Sequence, residues 1–355
     1  MDCRINELET IAARTRWWTP GEAGELTCRL CPHECRIRPG RTGLCGIRRN
    51  HEGRLLGLGY GHPSGFAADP IEKKPLYHFL PGSRILSFGT VGCNLRCRFC
   101  QNWSLSRSQD VETARDLVRP EEVVRLAQEA GCPSIAFTYN EPTIFAEYAL
   151  EVALAAHEAG LRTVAVTAGY INPEPRAELF QALDGANVDL KGFSDEFYTR
   201  WTGAHLAPVL DTLRWIHQET SCWLEVTNLV IPGLNDDEDA VSRLVDWVHE
   251  ALGEEVPLPF SAFHPAGQVT DRPRTPAARL DAARQLARRR GLRFVYIGNV
   301  DDPEEAATRC PGCGEVLVTR HWGGVDLLRL VDGGCPRCRL PLPGVWAASG
   351  PAPGD

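Results

Sequence analysis

The sequence predicts an α/β fold, a partial (β/α) TIM-type barrel with small Cys-rich modules at both ends. Strand-like and helix-like patterns alternate through the middle of the chain at about 25 to 30 residues per unit, the rhythm of parallel βαβ construction. A flat doubly wound sheet is the runner-up, and no G-x-G-x-x-G follows the first strand of that series, which weakens a dinucleotide-binding reading. Cysteines gather in tight groups on either side of the alternating region and on the loop after its first strand. On this reading the 355 residues divide into an amino-terminal Cys-rich module and connection over 1–78, a core barrel over 79–304, a carboxyl-terminal four-Cys module over 305–346 and a disordered tail over 347–355.

Each element follows from its local pattern. RILSFGT (84–90) is a short apolar run closed by Gly and Thr. PEEVVRLAQEAG (120–131) has apolar residues at helical spacing, acids in its first turn and a terminal Gly. SIAFTYN (134–140) reads as strand and FAEYALEVALAAHEAG (145–160) as a helix ending at Gly160. The series continues with a strand at RTVAVTAG (162–169), a helix near 175–182, a strand at ANVDLKG (186–192) and a helix over 206–219. WLEVTNLVIPG (223–233) is strand-like, DEDAVSRLVDWVHEALG (237–253) helical and LPFSAFHP (258–265) strand-like. A last helix covers 276–290 and a last strand RFVYIGNV (293–300). Arg284 to Arg293 forms the solvated basic face of an amphipathic helix, with Leu280, Ala283 and Ala287 on the other side.

Composition narrows the function classes. Apolar residues make up 43% and charged residues 24%, as in ordinary globular proteins. A net charge of −8 argues against nonspecific nucleic-acid binding, which needs basic surface. The opening MDCRINELETIAARTRWWTP shows no apolar core behind basic residues, and no run approaches the roughly 18 apolar residues of a membrane span. The expectation is a cytoplasmic protein.

Fourteen cysteines are many for such a chain, and eleven of them cluster. Without a secretory signal, clusters point to metal rather than disulfides. Cys93, Cys97 and Cys100 share one short loop at the carboxyl end of the first barrel strand, where barrel enzymes build their sites. Three thiolates can ligate three corners of a 4Fe–4S cubane, whereas a closed cluster takes four. The fourth iron is then open to chelate an amino and a carboxylate group. The next cysteines, Cys132 and Cys222, stand well downstream, which disfavours structural zinc there. Cys310, Cys313, Cys335 and Cys338 have the two-knuckle arrangement of a zinc ribbon. Cys28, Cys31, Cys35 and Cys45 form a second quartet, with His33 inside the loop as a substitute ligand. Thiolates suit either zinc or an auxiliary 4Fe–4S cluster there, with zinc the preferred reading.

The loop C-x3-C-x2-C, with Phe99 before its last cysteine, resembles the radical S-adenosylmethionine (radical SAM) superfamily. The stretches CRLCPHECRIRPGRTGLCGIR, KKPLYHFLPGS, GTVGCNLRCRFCQNW, YNEPTIF and VIPGLND together resemble the radical enzyme of the AmmeMemoRadiSam system. That family is related to glycyl-radical-enzyme activases such as the pyruvate formate-lyase activating enzyme, and the likeness runs from about residue 26 to 345. It implies a radical SAM barrel whose 4Fe–4S cluster reductively cleaves S-adenosylmethionine to a 5′-deoxyadenosyl radical. By the same likeness Glu141 holds the cofactor ammonium, with Tyr139 and Asn140 where the superfamily often has glycines, and with helix capping as the alternative. Lys191 meets the cofactor carboxylate, or else carries a strand-end charge into solvent. Asp189 sits in a cation or ribose environment, and Asn140 joins the cofactor-binding set. Phe99 packs near the adenine or fills the core. His264 stands near the cofactor or is structural, and Asn235 is a candidate ribose contact. Val166 and Ala168 fall where the activases carry polar residues.

Three functions compete. One is hydrogen abstraction from an unidentified substrate, and another is activation of a glycyl-radical enzyme. The third is a noncatalytic iron–sulfur or zinc adaptor. The resemblance implies an electron donor such as flavodoxin or ferredoxin, and Memo-like and AMMECR-like protein partners.

Overall fold

The structure, a computed structural model, describes residues 9–109, 117–300, 306–321 and 324–346. The tail expected to be disordered, 347–355, lies outside the described residues. At the amino-terminal end β1 (Trp18–Pro20), β2 (Leu26–Cys28) and β3 (Arg36–Ile37) form a small antiparallel sheet, and β4 (Arg48–His51) and β5 (Arg54–Gly57) a hairpin.

The core is one eight-stranded sheet in which strand order follows chain order: β6 (Phe66–Pro70), β7 (Arg84–Phe88), β8 (Ser134–Phe137), β9 (Arg162–Thr167), β10 (Gly185–Asp189), β11 (Trp223–Val230), β12 (Leu258–Ala262) and β13 (Val295–Gly298). From β7 to β13 every pairing is parallel. A doubly wound sheet reverses its order at a switch point. This one never does, so it winds in one direction as a barrel does, and β6 and β13 leave it open. The partial barrel is therefore present and the doubly wound runner-up is excluded.

Helices Pro120–Glu129, Ala146–Glu158, Pro173–Gln181, Leu206–Glu219, Glu238–Leu252 and Ala277–Arg289 fill the crossovers. Their starts are encoded locally. Proline opens the first and third, where the missing amide has no helical partner to lose, and the Asp237 carboxylate accepts from the Ala240 amide at 2.9 Å. One face of each goes inward, as with Val123 and Ala127, Leu213 and Ile216, or Val245 and Val248. Strand β8 is buried at every position, which explains its unbroken apolar run.

The pattern reading did not anticipate β6. Residues 66–70 (FAADP) pair antiparallel with β7, from Phe66↔Phe88 to Pro70↔Arg84. The strand mixes apolar with acidic residues and ends in proline, features tolerated at a sheet edge and hard to distinguish from loop.

Buried polar groups tie both ends of the chain to the barrel. The Arg48 guanidinium pairs with Glu147 at 2.7 Å, and both side chains are buried. At the other end Arg320 donates to the carbonyls of Ala306 (2.7 Å) and Tyr77 (2.6 Å). The Tyr77 and Tyr296 rings stack at 4.2 Å beside it. Among the described residues no helix is long and apolar enough to cross a membrane.

Candidate active site

The loop after β7 carries Cys93, Cys97 and Cys100, and its path needs glycine twice. A Cβ on Gly89 would come within 2.3 Å of the Thr138 carbonyl, and one on Gly92 (φ +85°) within 2.3 Å of the Cys45 carbonyl. The loop is further held by the Arg96 and Arg98 amides, which donate to Thr202 (2.6 Å) and Trp201 (2.9 Å). Asn94 Nδ2 donates to the Tyr170 carbonyl at 2.8 Å.

Held this way, the three cysteines line a cavity of about 290 Å³ at the carboxyl ends of the strands. The same cavity is lined by Phe99, Asn140, Glu141, Asp189 and Lys191. The structure thus brings together residues separated by nearly a hundred positions, because parallel strands deliver their carboxyl ends to one mouth. Val166 and Ala168 add apolar lining.

Glu141 is buried and heavily engaged. Its Oε1 accepts from the Thr143 hydroxyl (2.8 Å), the Thr143 amide (3.2 Å) and the Thr167 hydroxyl (2.5 Å), and Oε2 accepts from the Ala168 amide (2.8 Å). Burial raises its pKa, and these donors work in the opposite direction. It caps the short helical turn Pro142–Phe145, as the capping alternative expects, and it also lines the cavity. Tyr139 before it adopts φ +69°, a conformation glycine takes freely and other residues rarely. Its hydroxyl donates to Asp69 at 2.8 Å, which anchors the turn.

Lys191 donates to Asp189 at 3.0 Å. Burial opposes its charge, but Asp189 and then Cys97 outweigh it, and the ammonium is held well above its ordinary range. Asn140 braces the loop: Oδ1 accepts from the Thr90 amide (3.1 Å), and Nδ2 donates to the Thr90 hydroxyl and the Gly92 carbonyl (3.0 Å each). Phe99 is buried with its ring 6.0 Å from Phe197.

Two expected contacts lie elsewhere. His264 is half-buried and is not part of the cavity lining. Asn235 is consumed in bracing the strand ends, with Nδ2 donating to the carbonyls of Lys191 and Leu229 at 2.8 Å each. The sequence reading missed Lys74, which reaches the lining from the connection, donates to Asp69 at 2.7 Å and lies 4.7 Å from the Tyr139 ring centroid. The doublet Lys73-Lys74, two of only three lysines in the chain, was the available signal.

The thiols suit metal ligation. Burial pushes Cys97 up to about 11, with Lys191 pulling the other way, and burial raises Cys93 well above its ordinary range too. A soft metal group replaces such protons and removes that penalty. Three thiols on one loop, with cationic and anionic side chains beside them, fit a cubane with one open iron.

At the carboxyl-terminal end, Cys310, Cys313, Cys335 and Cys338 converge with all four sulfurs within 4.8 Å of one another. Cys310 and Cys338 stand 3.5 Å apart and Cys313 and Cys335 3.6 Å. That group can bind a metal ion.

Residues 88–245 match the Radical SAM superfamily. An uncharacterized protein of Methanocaldococcus jannaschii is 41% identical over 316 residues, spanning 89% of this chain and 93% of that one. The pyruvate formate-lyase 1-activating enzyme of Escherichia coli K12 is 24% identical over 194 residues, 53% of this chain and 77% of its own. The crystal structure of a radical SAM methyltransferase from Sphaerobacter thermophilus overlaps with a TM-score of 0.49 at 18% identity, covering 62% of this chain and 67% of that chain. The matched span contains the cysteine loop and the strands that face it, and the chain belongs to the radical SAM superfamily of enzymes.

Proposed function

We propose that this enzyme binds a 4Fe–4S cluster on Cys93, Cys97 and Cys100 and S-adenosylmethionine in the cavity above it, and abstracts hydrogen from a substrate entering the same mouth. The convergence of those three thiols with Glu141 and Lys191 in one cavity carries this reading. When bound, the cluster supplies the electron that splits the sulfonium into methionine and a 5′-deoxyadenosyl radical. The protein's own part is placement. Glu141 offers a carboxylate to an ammonium, and Lys191 a cation to a carboxylate. Asp189 holds the Lys191 charge in position, and Asn140 fixes the loop from which the thiols project. Phe99, Val166 and Ala168 keep water from that part of the wall.

The substrate side is open toward the carboxyl-terminal module. A second cavity of about 290 Å³ shares Lys73, Pro75, Ser261 and Asn299 with the first and is completed by Glu72 and Arg320. The carboxyl-terminal quartet holds zinc in this reading, and the protein works in the cytoplasm with a flavodoxin or ferredoxin as donor. The AmmeMemoRadiSam likeness adds Memo-like and AMMECR-like proteins as partners in handling the substrate. The 24% identity to a pyruvate formate-lyase activating enzyme favours one alternative, a glycyl radical raised on a partner protein.

Anaerobic reconstitution with iron and sulfide, then dithionite and S-adenosylmethionine, tests the central reading. It expects 5′-deoxyadenosine and methionine by mass spectrometry. A chain with its full iron content that forms neither overturns it. A persistent glycyl doublet in the electron paramagnetic resonance (EPR) spectrum of a partner protein would select the activase alternative.

A further inference from the structure

We propose that Cys28, Cys31, Cys35 and Cys45 hold a second 4Fe–4S cluster, packed against the loop that carries Cys93, Cys97 and Cys100. The inference goes beyond the reading above. It uses that reading only for the neighbour's identity, since the quartet's geometry stands without it.

The four cysteines come from β2, the turn after it, the approach to β3 and the segment before β4. The Cys28 amide donates to the Cys35 carbonyl at 3.0 Å, closing the first three into one turn. All four line a single pocket with Leu30, Leu44 and Ile144 as its apolar wall. The pocket encloses a small space of about 10 Å³.

The two quartets of this chain differ in spacing. Zinc bonds thiolates at about 2.3 Å, which sets tetrahedral sulfurs about 3.8 Å apart and leaves no central space. The carboxyl-terminal sulfurs, at 3.5 and 3.6 Å, meet that demand. Among the described residues no other three cysteine, histidine or acidic ligands lie mutually within 4.8 Å. The amino-terminal sulfurs are therefore set wider than the carboxyl-terminal ones, as are those of Cys93, Cys97 and Cys100. A cubane places its ligands on the outer corners of a cage, and so requires the wider spacing. The sequence left zinc and cluster open and preferred zinc; the spacing favours the cluster.

A buried polar group also lacks a partner there. Arg48 belongs to the pocket lining, and its Nε, a donor, is buried with no hydrogen-bond partner. Buried donors are rarely left so, and a cluster sulfur beside Arg48 would accept from it. His33 does not serve as a ligand through Nε2, which donates to the Asn94 carbonyl at 2.8 Å.

That contact leads to the catalytic loop. Asn94, next to Cys93, lines the quartet's pocket, and the Gly92 backbone lies against the Cys45 carbonyl. Arg96 donates to the Leu44 carbonyl at 2.8 Å. Four thiolates leave no iron open, so the second cluster exchanges electrons and does not bind cofactor. A low-potential one-electron donor reduces it and is itself oxidised by one electron, and the same electron passes on to the neighbouring cluster.

The test is metal and sulfide analysis of the full chain after anaerobic reconstitution. The wild type is expected to hold about eight iron, about eight labile sulfide and about one zinc. A Cys93→Ala, Cys97→Ala, Cys100→Ala variant keeps about four iron, with an EPR signal in the reduced state that S-adenosylmethionine leaves unchanged. Reduced wild type shows mutual broadening of two signals. A wild type with about four iron and about two zinc overturns the proposal without any variant, as does a folded triple variant lacking iron. A chain that keeps eight iron and yet forms no 5′-deoxyadenosine counts against the catalytic reading and leaves this one standing.

Discussion

At Cys97 the proposed cluster requires a thiolate where the surroundings resist it. Burial holds the thiol up at about 11, and Lys191 only partly relieves this. Replacing Cys97 by Ala removes a ligand from a loop that has no spare one. The expected outcome is no detectable 5′-deoxyadenosine by chromatography and a loss of about four iron per chain. A variant that cleaves the cofactor at the wild-type rate would refute the assignment. Glu141 is a separate case, because its carboxylate accepts four hydrogen bonds from Thr143, Thr167 and Ala168. Glu141→Gln removes the charge and turns one acceptor into a donor facing donors. Affinity for S-adenosylmethionine should fall by about 1.5–3 kcal/mol, roughly 10- to 150-fold, with iron content unchanged. Equal affinities in calorimetric titration would reduce Glu141 to its role as a turn cap.

At the scale of elements, the segment after β6 threads between β11 and the carboxyl-terminal module, and two buried titratable groups meet on it. Glu225 on β11 accepts from the amides of Tyr77 (2.8 Å) and His78 (2.7 Å). His78 Nδ1 donates to the Pro343 carbonyl at 2.7 Å and Nε2 accepts from the Tyr296 hydroxyl at 2.6 Å, a neutral imidazole. Burial raises Glu225 from 4.5 to about 7, so the folded chain keeps a proton that the unfolded chain has lost. Its contribution to stability therefore falls as pH rises between those values. Burial lowers His78 from 6.5 to about 3, so the folded chain refuses a proton the unfolded chain accepts. Its contribution is complete above 6.5 and is lost as pH falls toward about 3. Between about pH 4.5 and 6.5 the two oppose each other. His78→Gln removes the second, and stability relative to wild type should decline with rising pH by up to about 1.4 kcal/mol per unit. Urea midpoints at several pH values read this directly, and parallel curves for the two proteins would contradict it.

At the scale of the molecule, a buried ion pair helps join the amino-terminal end of the chain to the barrel. Arg48 is 1% exposed and Glu147 6%. Arg48→Met strands the Glu147 carboxylate and should cost about 3–5 kcal/mol, whereas Arg48→Met with Glu147→Leu should recover most of that loss. Denaturant unfolding of the two variants and the wild type gives the comparison. Additive losses in the double variant would mean the pair is not what joins the parts. Arg48 of this pair also lines the pocket of the first quartet.

Local pattern alone determined most of the barrel. Proline at Pro120 and Pro173, the Asp237 cap and the buried apolar runs of β8 and β12 are all decided within a few residues, and the helix over 206–219 falls where its periodicity placed it. The cysteine spacing likewise pointed to the loop that lines the cavity, because three thiols on one short loop need no distant partner. Edge strand β6 was not legible, since its pairing comes from β7 and not from its own composition. Nor were the duties of Asn140 and Asn235, whose amides bond backbone groups dozens of residues away along the chain. The contrast between the two quartets also belongs to tertiary structure. Sequence counts thiols but carries no distance between sulfurs, and that distance depends on how β2, β3 and the Gly92 backbone pack together.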